Sequence, residues 1–376
     1  MGPLQGLTFI EMAGIGPGPF AGMLFADMGA RVIVVDRNST ATVPLPGDCT
    51  RRGKESIALN LKSEEGIEAL LKLIESADVL YEGFRPGVME RLGLGPDICM
   101  KRNPKLVFGR MTGWGQTGPL SQAAGHDINY ISLTGSLAAI GRNNEKPVPP
   151  LNLVGDYGGG AMFLVTGVLA ALLEAKSSGK GQVVDAAMTD GSALLLSMFN
   201  TFHDIDMWKL ERETNILDGG AHYYDTYETA DNKYISIGSI EPQFYQLLIE
   251  KAGLDAELFA EQNNMQKWPE LSTALTDVFK AKTREEWCEI MEGSDVCFAP
   301  VLDFIEAQQH PHNVARETYQ SVDGMKQPAP APRFSRTPSE ISGGAKAQGV
   351  DTDSVLSSMG LTADQIKTLR DSGALT

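Results

Sequence analysis

Residues 7–37, LTFIEM–AGIGPGP–FAGMLFADMGA–RVIVVDR, constrain the fold more than any other stretch of the chain. A short apolar run is followed by a Gly/Pro turn, a helix-period pattern and a second run apolar enough for burial on both faces. Two such strands joined through a helix lie parallel, because a hairpin cannot connect them in that direction. The segment therefore predicts a βαβ unit at the start of a doubly wound sheet. EEGIEALLKLIESA continues it with a helix whose Ile67, Leu70, Leu71 and Ile74 share one face. DVLYEGF, KLVFGRMTG and QVVDAAMTDG supply three more strands. YGGGAMFLVTGVLAALLEA is apolar all round and reads as a buried helix, with helix resuming in SALLLSMFNTF.

From residue 222 the texture changes. YYDTYET and YISIGSI flank the turn ADNK as a hairpin, and EPQFYQLLIEKAG follows as a helix with Pro242 in its first turn. Thr283 with Glu286, and Thr362 with Gln365, have the spacing of capping boxes. QPAPAPRFSRTP, residues 327–338, reads as an extended Pro-rich linker. The expected organisation is a large α/β domain over residues 1–200, completed by 330–376, and a smaller α+β domain over 222–310. Residues 201–221 and 311–329 are the linkers.

The chain has 42% hydrophobic and 21% charged residues, an ordinary globular balance that can build a substantial core. Its net charge of −16 argues against nucleic acid, which needs a basic face that releases counterions. Cys49, Cys99, Cys288 and Cys297 are scattered, as are the five histidines, so no metal site is expected. Free thiols and the lack of a recognisable secretory signal fit a reducing, cytoplasmic setting. No run of 18 apolar residues is apparent, and no membrane span is expected.

The loop GIGPG between strand and helix, with Asp36 closing the next strand, invites a dinucleotide reading. Gly14 and Gly16 fit that fingerprint, but Pro19 stands where the third glycine is required, and two prolines remove amide donors. A rigid turn with Pro19 starting the helix is the better reading. Arg37 follows Asp36 at the carboxyl end of the strand, where open α/β sheets take their ligands. Arg51, Arg52, Lys54, Lys62, Arg85 and Arg91 form either ordinary surface charge or a cradle for a polyphosphate.

In chain order, GIGPGPFAGMLFADMGARVIVVDR, DVLYEGFRPGVMERLGLGP, GHDINYISLTG, PVPPLNLVGDYGGG, GKGQVVDAAMTDG and LDGGAHYYDTYETAD with GSIEPQFY resemble the alpha-methylacyl-CoA racemases. These form a branch of the family III (CaiB/BaiF-type) CoA-transferase superfamily. The resemblance runs from residue 4 to about 305, and GHDINY and IEPQFY point to the racemase branch. It implies a homodimer of interlocked, ring-like chains in which each active site borrows residues from both. It implies CoA thioester binding at Arg37, at Leu59, Asn60, Leu61 and Lys62, and at Arg85 and Arg91. The segment Gly125, His126, Asp127, Ile128, Asn129 and Tyr130 completes the substrate site. His126 and Asp156 are implied as the acid/base pair, with Asn152 beside Asp156. Glu241 and Tyr224 would come from the partner chain. CoA would be part of the substrate, with no cofactor or metal.

The residues suit that chemistry. Racemisation next to a thioester removes a proton from one face of a carbon and delivers one to the other, so it needs two groups that titrate near neutrality. A histidine at a helix start is held neutral by the helix field, and the free amides there can receive an enolate oxygen. An aspartate at a helix start has its pKa pulled down, so Asp156 needs burial to act as a donor, with Asn152 as its hydrogen-bond partner. GDYGGG would let the backbone approach a thioester closely. Ordinary roles compete: Asp156 as an N-cap, His126 as a packed helix-start residue, and Glu241 as a helix-start acid. Asp127 and Asn129 read as supporting residues. The rival activities are CoA transfer with Asp156 as nucleophile, nicotinamide-dependent oxidoreduction, and CoA binding without catalysis.

Overall fold

The computed structural model describes residues 2–37 and 47–375. Contacts divide the chain into two compact units. The first comprises Met1–Thr134, Leu151–Leu195 and Glu317–Thr376; the second comprises Gly135–Pro150 and Leu196–Arg316.

The first unit is built on six parallel strands: β1 (Thr8–Met12), β2 (Arg31–Asp36), β3 (Glu55–Ala58), β4 (Val79–Glu82), β5 (Val107–Thr112) and β6 (Val183–Ala187). Their order is β3-β2-β1-β4-β5-β6. The order reverses between β1 and β4, which opens a crevice at the carboxyl ends of those strands. Every expected strand of this sheet is present. Helix α1 (Pro17–Asp27) starts on Pro17, two residues before the expected Pro19, and the missing N–H of Pro17 costs nothing in the first turn. Helix α2 (Glu64–Ile74) is capped by Ser63, whose Oγ accepts from Gly66 N–H, and buries Leu70, Leu71 and Ile74.

After helix α3 (Asp127–Leu133), the chain enters a π-helical stretch, Leu153–Ala161, that runs into α4 (Met162–Ser178). The glycines of GDYGGG have a packing role. A Cβ on Gly159 would lie 2.6 Å from Ser192 N, and one on Gly191 would lie 1.9 Å from Gly159 O. The stretch thus packs backbone to backbone on the helix Met188–Leu195. That close approach is to protein, where the sequence pointed to a thioester. Together Leu153–Ser178 is long and apolar enough to cross a membrane by length and composition, which corrects the expectation that no such segment exists. Its Leu164, Val165, Val168, Ala171 and Leu172 belong to the core beneath the sheet, as expected of a core helix.

The expected phosphate cradle is corrected at three positions. Arg52 is buried and pairs with Asp27, and also donates to Gln327 Oε1 and the Pro328 carbonyl. Lys54 is buried against Glu11 at 2.5 Å, and Arg51 pairs with Asp36 at 2.6 Å. Their partners lie far away in sequence, which made them look free. The Pro-rich linker is corrected too. Met325–Pro328 pairs antiparallel with Tyr319–Val322, and Phe334 packs on the sheet's core.

The second unit carries the expected hairpin, β7 (Tyr224–Glu228) and β8 (Tyr234–Gly238), extended by β9 (Phe298–Val301) in an antiparallel sheet. Helix α5 (Pro242–Ala252) and the capped helix Arg284–Met291 pack beside it, around Tyr227, Ile235, Trp268, Phe279 and Trp287. Gly135–Pro150, placed by the sequence in the larger domain, clusters here instead. Arg142 donates to Asp225 at 2.7 Å and to Glu213 at 3.0 Å, a long-range tie that no local pattern announces.

Deep in this unit His222 is fully buried, with Nε2 2.7 Å from the Tyr245 hydroxyl. Burial pushes its pKa down to about 4, from an ordinary value of 6.5. The fold needs the neutral imidazole, so its contribution is complete above the unfolded value and is lost as pH falls toward the folded one. Acidification from about pH 6.5 to about 4 should remove on the order of 3 kcal/mol of stability. His222→Gln, compared with wild type in urea melts across that window, should flatten the dependence.

Candidate active site

The crevice predicted at the strand-order reversal is a cavity of about 560 Å³ lined by Met12, Ala13, Asp36, Arg37, Leu59, Asn60, Leu61, Lys62, Phe84 and Leu92. Arg37 is exposed, and its guanidinium lies 5.6 Å from the Phe84 ring centroid. The Asn60 turn shapes the wall: its Oδ1 accepts from Lys62 N–H at 3.1 Å, and its own N–H donates to the Ala374 carbonyl. Four predicted contacts, Leu59 to Lys62, and Arg37 therefore meet in one pocket. Arg85 and Arg91 do not line it, but flank it on the turn after β4 and at the end of the short helix Val88–Arg91. Phe84, Met12, Ala13 and Leu92 were missed, since apolar lining leaves no trace that separates it from core.

A second cluster forms where α3 meets the π-helical stretch. His126 is the exposed N-cap of α3, and its N–H donates to Asn129 Oδ1 at 3.0 Å. Asp127, the first helical residue, is buried, and its Oδ2 accepts from Asp156 N–H at 2.7 Å. Ile128 is exposed on the same turn. Tyr130 is buried edge-on to Trp114 and donates to the Gly125 carbonyl. Gly113 and Gly125 leave the room its ring occupies.

Asp156 is not an N-cap. It lies inside the π-helical stretch, four residues after Asn152, which is the N-cap and donates to Asp156 Oδ2 at 3.1 Å. Burial raises the Asp156 pKa and the Asp127 charge adds to the rise, whereas the Asn152 bond and the His126 ring pull it down. The expected upward direction is found, but Asn152 works against it. The glycine loop has a function the sequence did not disclose. Gly16 sits at φ +71°, and a Cβ there would lie 2.8 Å from Asp156 Oδ2. Phe20, one turn into α1, stacks on Tyr157 at 4.2 Å.

Tyr224 and Glu241 belong to the second unit. Tyr224 starts β7 and lines a cavity of about 570 Å³ with Arg142, Asp225, Gly238 and Cys297. Glu241 is the exposed N-cap of α5 and makes no side-chain cap bond. The two carbonyls before it, Ser239 and Ile240, are held by Gln262 Nε2 at 3.1 and 2.8 Å. Among the described residues no group of three or more His, Cys, Asp or Glu side chains gathers to hold a metal.

A Rossmann-ordered sheet with a cationic pocket at its strand ends, and an imidazole close to a half-buried carboxyl group, define an α/β protein with the groups for anion binding and proton transfer. The chain belongs to CoA-transferase family III, whose family model matches residues 4–352. It is 45% identical over 367 residues to the alpha-methylacyl-CoA racemase of Mus musculus, covering 96% of this chain and 95% of that one. It is 44% identical to the Homo sapiens protein of the same name, covering 89% of this chain and 87% of that one. Among solved structures, Rv3272 from M. tuberculosis superposes with a TM-score of 0.78 at 27% identity, over 94% of this chain and 98% of that one.

Gly16→Ala should disturb this cluster specifically. The methyl group meets the Asp156 carboxyl group, and the backbone conformation costs about 1–3 kcal/mol for a residue with a Cβ. The expected result is a small fall in melting temperature, with chemical shifts perturbed at Asp156 and Tyr157. A variant with an unaltered spectrum at those residues would contradict the contact.

Proposed function

We propose that this chain is an isomerase that interconverts the R and S forms of 2-methylacyl-CoA thioesters by 1,1-proton transfer through an enolate. The observation that carries the reading is the pairing of His126 with Asp156. One is an exposed imidazole at a helix start, and the other is a carboxyl group whose pKa burial raises. A neutral imidazole takes the α-proton from one face while a protonated carboxyl group delivers one to the opposite face. The reverse direction uses imidazolium and carboxylate. The enolate oxygen would be received by the N–H groups of the first turn of α3. The racemase names of the mouse and human relatives support this assignment.

The thioester's CoA portion would lie across the cavity at Arg37 and Leu59–Lys62, with its phosphates drawn to Arg37, Lys62, Arg85 and Arg91. CoA enters as part of the substrate, and no other cofactor is called on. Tyr224 and Glu241 would reach the site from a second copy of the chain in a homodimer. Exposed apolar side chains such as Leu173 (71%), Leu133 (64%) and Leu194 (60%) could be covered in such a dimer.

CoA transfer between acids is the second reading, favoured by the family's name. There Asp156 would attack the thioester as a nucleophile. That role gives His126 no part, whereas its ring lies close enough to act on Asp156.

In deuterated buffer the protein should wash label into the α-position of either epimer of a 2-methylacyl-CoA. His126→Ala and Asp156→Asn should each slow exchange by ~10²–10⁴-fold. Passage of CoA to a second acid without α-exchange would overturn the racemase reading. Arg37→Ala should raise KM with kcat little changed, because it removes binding shared by ground and transition states. Initial-rate kinetics over substrate concentration check this.

A further inference from the structure

We propose that the Asp127 carboxylate is a positioning residue: it anchors the Asp156 backbone and sets a second negative charge against the Asp156 side chain, strengthening that side chain's hold on a proton. The inference rests on the racemase reading, since only there does a protonated Asp156 have work to do.

The geometry joins both proton-handling groups through one residue. Asp127 follows His126 directly and opens α3, so the position of its carboxylate is tied to that of the imidazole. Its Oδ2 takes the Asp156 N–H at 2.7 Å, across 29 residues of sequence. The approach depends on Gly155, where a Cβ would lie 2.4 Å from that same oxygen. Asp127 is 7% exposed, and neither carboxyl group forms an ion pair among the described residues. The hydrogen bond holds the two carboxyl groups on adjoining backbone, and the Asp127 charge is among the influences that raise Asp156.

The groups facing Asp156 are few. α3 brings His126, Asp127 and Tyr130, whose pKa is raised chiefly by burial. Its own stretch brings Asn152, and the turn before α1 brings Gly16. The helix Met188–Leu195 packs on the far side through Ser192 against Gly159, and its Asp190 is not among the groups that shift Asp156. The Arg85 charge lowers the pKa of Tyr130, beside this cluster. Among the described residues, Asp127 is thus the carboxylate that raises Asp156. A plain helix-start role for Asp127, complementing the first turn of α3, would affect stability and leave the Asp156 titration alone.

The test uses full-length protein labelled with carboxyl-¹³C aspartate. The Asp156 resonance is the one missing from Asp156→Asn, and its titration is followed in wild type and in Asp127→Asn, which keeps an acceptor but loses the charge. The midpoint should fall by about one pH unit in Asp127→Asn. Asp127→Ser, with a short acceptor and no charge, carries the same expectation if the first variant does not fold. In parallel, the limb of the α-exchange pH profile that follows Asp156 should move to lower pH. An unchanged Asp156 midpoint in both variants overturns the proposal, whatever the exchange rates. A lowered midpoint in protein whose wild type exchanges no α-proton would sustain the electrostatic link and count against the racemase reading instead.

Discussion

A carboxylate buried in the middle of a parallel sheet ties the first unit together. Glu11, on the central strand β1, receives Lys54 at 2.5 Å and the Tyr81 hydroxyl at 2.6 Å, all three out of reach of water. Lys54 also donates to the Pro19 carbonyl at 2.9 Å, so one ammonium group joins β1, the entry to β3 and the first turn of α1. Burial alone would drive the ammonium toward neutrality, and Glu11 resists that. Removing one partner from such a group typically costs about 3–5 kcal/mol, because the other is left charged and unmatched. Gly22 is the steric counterpart: a Cβ there would lie within 2.1–2.5 Å of all three polar atoms. The loop that this ammonium fixes is the one that carries Gly16 to Asp156, so the buried triad and the candidate site form one mechanical unit.

That dependence explains what the sequence could and could not disclose. Strands, hairpin and capping boxes are local, and they stand where periodicity and turn residues put them. Arg37 was legible at the carboxyl end of a βαβ strand, whereas Leu59–Lys62 came only from the resemblance, since the strand that leads to it, Glu55–Ala58, was not read from the sequence. Arg51, Arg52 and Lys54 were not legible, since their partners Asp36, Asp27 and Glu11 lie 15 to 43 residues away. Asp156 looked like an N-cap because an aspartate before glycines and a long apolar run has that appearance. The π-helical winding that places it inside the turn follows from glycine contacts with another helix. Gly135–Pro150 joins the second unit through Arg142, again by a tie over more than 70 residues.

The electrostatics separate cations that serve the fold from those free to serve a ligand. On a chain of net charge −16, the buried Arg52 and Lys54 are matched by acids and present no field to solvent. Arg37 and Lys62 stay exposed beside the cavity. A small anionic group can therefore be held locally by a protein whose overall charge repels polyanions.

The wall of that cavity is finished by chain made much later. Leu59 bridges to Leu375, Asn60 N–H is received by the Ala374 carbonyl, and Ser56 Oγ receives Gly349 N–H. During synthesis the early sheet can assemble long before these partners exist. The Asn60 turn would then wait, half-made, until residues 349–375 have cleared the ribosome. The cavity wall would thus be completed as one of the last events of biogenesis, well after the sheet beneath it.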